Sequence, residues 1–418
     1  MDYDVSVIGL GRVGLPLAIC FADRGLRVLA IDIDPERTSA VRDGRMPFQE
    51  TGMQEVLNRV GALDVSDRAA DAAKAQHIVV TLGTPTFSHI EIDLSQIRSV
   101  LDDLLPHLSE GQSLTLRSTI APGTTEFVAG YLEKHRGFTV GSDLFVAHAP
   151  ERIAAGRFLE EIGTLPCIVG GVGDRSGEVV GELFGIFGAR IEQTTPVQAE
   201  LAKIWTNILR YTMFALPNLL MMDCDQYGAN VFEVINLINR DYPRGGMPQP
   251  GFTAGTCLRK DFAFSEERSR APGMLLAVSR VNESVPLFLV QGMTRRMGSL
   301  KGKKVAVLGL AFKANTDDER DSLSHKLIRL LERELADVAV HDPHVATPTQ
   351  SFEDAIIDAD AVVIATNHDT FCGPQAFQRV ADGARNKALV VDPWDCFGAG
   401  QVFAYADEIA AGVAFRAL

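Results

Sequence analysis

Val5-Ser6-Val7-Ile8-Gly9-Leu10-Gly11-Arg12-Val13-Gly14 is the stretch that decides the fold. A short apolar run ends in G-x-G-x-x-G and leads into a second apolar run, Leu15 to Phe21. The order is strand, glycine turn, helix, the opening of a dinucleotide-binding βαβ unit. Gly9 permits the tight turn. Gly11 lets the backbone approach a pyrophosphate seated on the helix N-terminus, and Gly14 allows close packing of helix on strand. Val28-Leu29-Ala30-Ile31-Asp32 is the expected second strand, and the acid that ends it, Asp32, is placed to bond the ribose hydroxyls. Its charge repels a 2′-phosphate, so NAD is expected rather than NADP. Arg37 is a candidate for stacking on the adenine or holding a phosphate. Gly9, Gly11, Arg12, Val13, Gly14, Asp32 and Arg37 are therefore the cofactor-binding candidates of this segment.

Working outward, apolar runs at Ile78 to Leu82, Leu114 to Leu116 and Leu144 to Ala147 read as further buried strands with helical sequence between several of them. The pattern changes near Thr195. Pro196 suits the first turn of a helix, and from there to about Tyr227 there is no glycine and one further proline, Pro217. This reads as one long helix, followed by helical sequence at Asn230 to Ile238 and Met274 to Met297. Strand patterns resume at Val305 to Leu310, Val338 to His341, Ala361 to Ala365 and Leu389 to Val391. The expected fold is α/β: two Rossmann-like parallel-sheet domains joined by a central helical domain with a long helix. The boundaries are 1–195, 196–299 and 300–418. Val305-Ala306-Val307-Leu308-Gly309-Leu310-Ala311 repeats the opening strand and turn without a third glycine, so a nucleotide-like ligand is expected there rather than a second NAD.

The chain has 418 residues, 46% of them hydrophobic and 22% charged, an ordinary globular composition. Lys and Arg number 40 against 54 Asp and Glu, a net charge of −14 that argues against nucleic-acid binding. The six cysteines form no C-x-x-C pair, and the nine histidines show no metal-like spacing, so no metal is expected. Six are also too sparse for a disulfide scaffold, and reduced thiols in a cytoplasmic protein are the expected state. Met1-Asp2-Tyr3-Asp4 lacks a basic leader, and no apolar run approaches the roughly 18 residues of a membrane span, so no membrane partner is expected. Trp205 and Trp394 read as core or interface residues.

Pro250-Gly251-Phe252-Thr253-Ala254-Gly255-Thr256-Cys257-Leu258-Arg259-Lys260-Asp261 is the most unusual stretch. A cysteine follows a small, glycine-punctuated loop and precedes Lys and Asp. Backbone amides in such a loop can hold an anion, nearby cations favour the thiolate, and a thiolate attacks a carbonyl. Beside an NAD site, that suggests aldehyde oxidation through a thiohemiacetal to a thioester.

At this point the chain resembles the UDP-glucose/GDP-mannose dehydrogenase family, the nucleotide-sugar 6-dehydrogenases. The resemblance runs from Gly9 to Pro16 through Ser118-Thr119-Ile120-Ala121-Pro122-Gly123-Thr124, Pro150-Glu151-Arg152, and Ala199-Glu200-Leu201-Ala202-Lys203 with Asn207. It continues through the Cys257 loop, Gly309-Leu310-Ala311-Phe312-Lys313 and Thr316-Asp317-Asp318-Glu319-Arg320-Asp321-Ser322. It implies a four-electron oxidation of a sugar C6 alcohol to a carboxylate with two NAD+ per product. It also implies a UDP-sugar site in the third domain, a catalytic cleft between the domains, and a homodimer built on the long helix. By position, Cys257 is the nucleophile. Lys203 and Asn207 stabilise the oxyanion from one face of the long helix. Asp261 positions water or moves a proton, Thr119 holds the hydrolytic water and Glu151 is its general base. Gly83, Thr84, Ser118, Thr119 and Arg320 join the implied cofactor contacts. Glu151, Arg152, Lys203, Asn207, Arg244, Gly251, Gly255, Phe312 and Lys313 are the implied substrate contacts. Two other readings compete: a two-electron hydroxyacid-type dehydrogenase, which has no use for Cys257, and a non-catalytic NAD-binding protein.

The departures bear on the sugar. Many UDP-glucose and GDP-mannose enzymes follow the Pro-Glu pair with Phe-Leu and a second Glu, where this chain has Ala155. Pro150-Glu151-Arg152, Asp241-Tyr242-Pro243-Arg244 and Val391-Asp392-Pro393-Trp394 resemble the UDP-N-acetylhexosamine branch instead. Lys260-Asp261 resembles the UDP-glucose group, and Thr253-Ala254-Gly255-Thr256 departs from the usual Gly-Gly pattern. The expected substrate is a UDP-N-acetylhexosamine, with UDP-glucose as the alternative.

Overall fold

The computed structural model describes residues 1–61, 63–83, 95–253, 255–266 and 270–412. It divides into two compact units. One holds Met1–Thr206 and the short helix Ala263–Glu266; the other holds Asn207–Phe262 and the described residues from 270 onward.

In the first unit, β1 (Tyr3–Ile8), β2 (Val28–Ile31), β3 (Asp64–Ser66), β4 (Ala75–Val80), β5 (Ser113–Leu116), β6 (Phe145–His148), β7 (Cys167–Gly171) and β8 (Ile191–Thr194) form one sheet. Their spatial order is β3-β2-β1-β4-β5-β6-β7-β8. The first six strands are parallel and doubly wound, with the order reversing between β1 and β4. Alternation along β1 shows why both faces are covered. Val5 and Val7 pack into one apolar cluster with Leu15, Phe21 and Phe184, while Ile8 packs into another with Ile31, Ile78 and Leu114.

The second unit repeats the device on a smaller scale. Its β9 (Lys304–Leu308), β10 (Asp337–His341), β11 (Ala361–Ile364), β12 (Leu389–Val391) and β13 (Phe403–Tyr405) stand in the order β10-β9-β11-β12-β13. Val305 and Val307 face one cluster, Ala306 and Leu308 the other.

Each sheet carries one antiparallel pair that a purely parallel reading misses, β6 with β7 and β12 with β13. The long helix is Pro196–Tyr227, continuous through Pro217, and is followed by helices Val231–Asn239 and Met274–Met297. No helix among the described residues is long and apolar enough to cross a membrane.

Candidate active site

In a doubly wound sheet, ligands bind beyond the carboxyl ends of the strands, at the point where strand order reverses. The first unit's candidates fall there. Gly9 follows β1, Asp32 follows β2, Gly83 follows β4, Ser118 and Thr119 follow β5, and Glu151 follows β6. Thr84 lies outside the described residues. The turn has the geometry a dinucleotide needs. A side chain at Gly14 would collide with the Gly9 carbonyl and the Thr81 hydroxyl, whereas over Gly11 the space is open. The Asp32 carboxylate is buried, accepts from the Leu10 amide at 2.6 Å and the Asp34 amide at 2.9 Å, and pairs with Arg37 at 3.4 Å. It thereby closes the turn and presents an acid beside it. Arg12 packs over the Phe48 ring, and Val13 caps the first helix, Gly14–Asp23. These residues fit NAD.

Past β5 and β6 lies a buried charged cluster. Arg117 donates to Glu151 Oε2 from Nη2 at 2.5 Å and from Nε at 3.2 Å, and to the Ala149 carbonyl at 2.9 Å. Its guanidinium lies over the Phe184 ring. Glu151 Oε1 accepts from the Arg152 and Ile153 amides at 2.7 and 2.8 Å. The Glu151 carboxylate is thus fixed by donors on both oxygens. Burial works against the charged Arg117, and Glu151 with Cys167 outweighs it, leaving the Arg117 pKa raised. Arg152 turns its guanidinium to the Pro166 carbonyl.

Glu200, three residues before Lys203, is fully buried and accepts from the Gly123 amide (2.7 Å), the Thr125 amide (2.8 Å) and the Thr125 hydroxyl (2.6 Å). These donors lie at the start of helix Thr124–Arg136, so Glu200 moors the long helix to the loop that carries Ser118 and Thr119. Lys203 is half-buried on that moored turn.

His148, fully buried at the end of β6, donates from Nδ1 to the Leu116 carbonyl at 2.8 Å. Burial first, with Arg117 and Lys203 adding to it, holds its pKa at about 3. The unfolded chain binds this proton near pH 6.5, so the stabilisation is complete above that pH and is lost as pH falls toward 3. By pH 4.5 it costs up to about 3 kcal/mol. We expect His148→Gln to flatten the loss of stability between pH 7 and 4.5, read as urea midpoints at the two pH values. An unchanged slope would remove His148 as the cause.

The second unit holds the cysteine. Gly255, at φ +93°, caps helix Thr256–Asp261 and places exposed Cys257 in its first turn. The Phe312 ring stands 2.7 Å from where a Gly255 side chain would begin, and the Trp394 ring fills the same place at Gly251. Only glycine fits at either position. At the other end of the helix, fully buried Asp261 accepts from Asn207 Nδ2 at 2.6 Å and pairs with Lys260 at 3.2 Å. Arg320 chelates Asp318 at 2.8 and 2.7 Å; that pairing first, and Cys257 among the further causes, raises its pKa. Lys313 is half-buried just past β9. Exposed Arg244 stacks on Tyr242 and donates to its hydroxyl at 2.9 Å.

Three positions carry more than the sequence reading gave them. Arg117 belongs to no motif, and its one sequence signal is a charge directly after an apolar strand. Glu200 was only part of a motif, although a lone acid among apolar residues near a helix start is another. Arg320, a cofactor candidate by motif, pairs with Asp318, and Cys257 adds to the charges that raise its pKa.

Family models match nearly the whole chain. The UDP-glucose/GDP-mannose dehydrogenase family's NAD binding domain matches residues 3–188, its central domain 197–284 and its UDP binding domain 306–399. The UDP-N-acetyl-D-mannosamine dehydrogenase of Pyrococcus horikoshii is 33% identical over 397 residues, covering 92% of this chain and 94% of the relative. A solved structure of UDP-D-ManNAc dehydrogenase from Pyrococcus horikoshii aligns with TM-score 0.86 at 32% identity, covering 93% of this chain and 94% of that one. The UDP-N-acetyl-mannosamine dehydrogenase of Staphylococcus aureus aligns with TM-score 0.85 at 29% identity, covering 98% and 100%.

Proposed function

The chain belongs to the UDP-glucose/GDP-mannose dehydrogenase family, and from that premise we propose that it oxidises the C6 hydroxyl of a UDP-N-acetylhexosamine to the carboxylate. N-acetylmannosamine is the first sugar to test, because the relatives just described are named for it. The observation that carries the chemistry is the second unit's arrangement. Cys257 lies exposed in the first turn of a helix whose other end, Asp261, holds Asn207.

The bound NAD+ supplies the hydride acceptor for both oxidations. Lys203 and Asn207 donate to the C6 oxygen as it gains charge, and the 2.6 Å bond to Asp261 fixes which way the Asn207 amide points. Cys257 Sγ attacks the C6 aldehyde to give a thiohemiacetal, which is oxidised to a thioester. Thr119 holds the water that attacks the thioester. Glu151, anchored by Arg117, takes that water's proton. The C–S bond breaks and Cys257 leaves as the thiolate that began the cycle. Arg320, whose charge is held chiefly by Asp318 and also favoured by Cys257, supports that thiolate.

The test is NADH release over UDP-N-acetylmannosamine, UDP-N-acetylglucosamine, UDP-glucose, UDP-galactose and GDP-mannose. We expect two NADH per acetamido sugar. Turnover with UDP-glucose alone would overturn the sugar assignment, and one NADH per sugar would overturn the four-electron course.

We also propose a homodimer along the long helix. Leu201, Trp205, Leu209, Met213, Leu216 and Leu219 recur at helical spacing and are exposed, Leu209 at 59%. A stripe of this length on one helix can pair with its own copy about a two-fold axis. Light scattering should give a dimer, and Leu209→Glu should give a folded monomer. A wild-type monomer at micromolar concentration sinks the proposal.

A further inference from the structure

We propose that Cys372 and Cys396 form a redox-active dithiol that closes to a disulfide, separate from the nucleophile Cys257. Composition alone gave these cysteines no role, because they stand far apart in sequence. The fold brings their sulfurs to 2.9 Å. Cys372 ends the short turn Asp369–Phe371 and is half-buried; Cys396 lies in the loop after β12 and is 9% exposed. The two segments are already joined by the main chain, because the Gly373 amide donates to the Cys396 carbonyl at 2.7 Å.

The loop around Cys396 is internally braced. Asp392 accepts from the Trp394 amide at 3.1 Å and the Phe397 amide at 3.0 Å, and Asp395 accepts from the Gly400 amide at 2.7 Å. A covalent S–S bond measures about 2.05 Å, so closure needs a movement of under about 1 Å between segments already in register.

The oxidant is a peroxide. The Cys372 thiolate, the more accessible of the pair, attacks one peroxide oxygen. The O–O bond breaks, the released hydroxide takes a proton, and Cys372 becomes a sulfenic acid. The Cys396 sulfur then attacks the Cys372 sulfur, the S–O bond breaks, and the oxygen departs as water with the Cys396 proton. Two thiols give up two electrons, and one peroxide becomes two waters. Burial raises the pKa of both thiols, so the first step is slow and the pair is a slowly formed staple rather than a rapid sensor. The staple would tie the Asp392–Gly400 loop, and with it Trp394, to the turn ending at Cys372.

The test uses full-length protein carrying Cys257→Ser, so that the exposed nucleophile does not consume oxidant. After hydrogen peroxide we expect an intact mass lower by two hydrogens, and a non-reducing peptide map joining the Cys372 and Cys396 peptides. We also expect slower amide exchange across residues 392–400, with all three effects reversed by dithiothreitol. Cys372→Ser should abolish them. Two free thiols at 372 and 396 after other accessible thiols have reacted would overturn the proposal, as would either cysteine mapped to a different partner.

Discussion

Cys257→Ser is expected to end uronate formation while leaving the fold and ligand binding intact. A serine hydroxyl is a far weaker nucleophile at neutral pH than a thiol, because it must lose its proton to a base before it can attack. A loss of roughly 10³-fold or more in kcat, about 4 kcal/mol of barrier, is the expected scale. The fold should tolerate the change, because Cys257 is exposed in the first turn of helix Thr256–Asp261, where serine is well accommodated. The measurement is product analysis under saturating NAD+ and sugar nucleotide, with circular dichroism and UDP titration as controls. A two-electron dehydrogenase built on the same plan would turn over unimpaired. Unchanged release of two NADH per sugar by the serine variant would therefore remove the thioester route.

Much of this was legible in the sequence because it is local. The turn from Gly9 to Gly14 announces its strand and helix, and Asp32 stands where a carboxylate closes that turn at Leu10. The long helix begins at Pro196 and ends at Tyr227 as its composition predicts. The strands the sequence does not forecast are β3, β7, β8 and β13, none longer than five residues. β8 carries Glu192 and Gln193 and is half-buried, so it shows no apolar run, and β3 is three residues long with none of them buried. The contacts that escaped notice are those made across the fold. Nothing local connects Arg117 to Glu151, Glu200 to Thr125, or Cys372 to Cys396, because each pair meets only once the chain has folded.

Arg117→Met is expected to be the most damaging single change in the first unit. Arg117 and Glu151 are 5% and 7% exposed, and their ion pair spans 2.5 Å. Removing one partner leaves the other as an uncompensated buried charge, a loss of about 3–5 kcal/mol, whereas replacing both by apolar residues of similar volume is far milder. Methionine keeps part of the contact with Phe184, so the effect isolates the charge. Urea unfolding of Arg117→Met, Glu151→Met and the double variant gives the coupling energy, and the double variant should be more stable than Arg117→Met alone. Kinetics then separate support from chemistry. If Glu151 takes the proton in thioester hydrolysis, Glu151→Gln still releases two NADH per active site in a first-turnover burst, accumulates enzyme thioester detectable by mass, and stalls at the hydrolysis that follows. If Glu151 serves only to hold Arg117, the same variant loses stability and keeps its full turnover per folded molecule. The pair of outcomes assigns the buried cluster either to catalysis or to the scaffold beneath it.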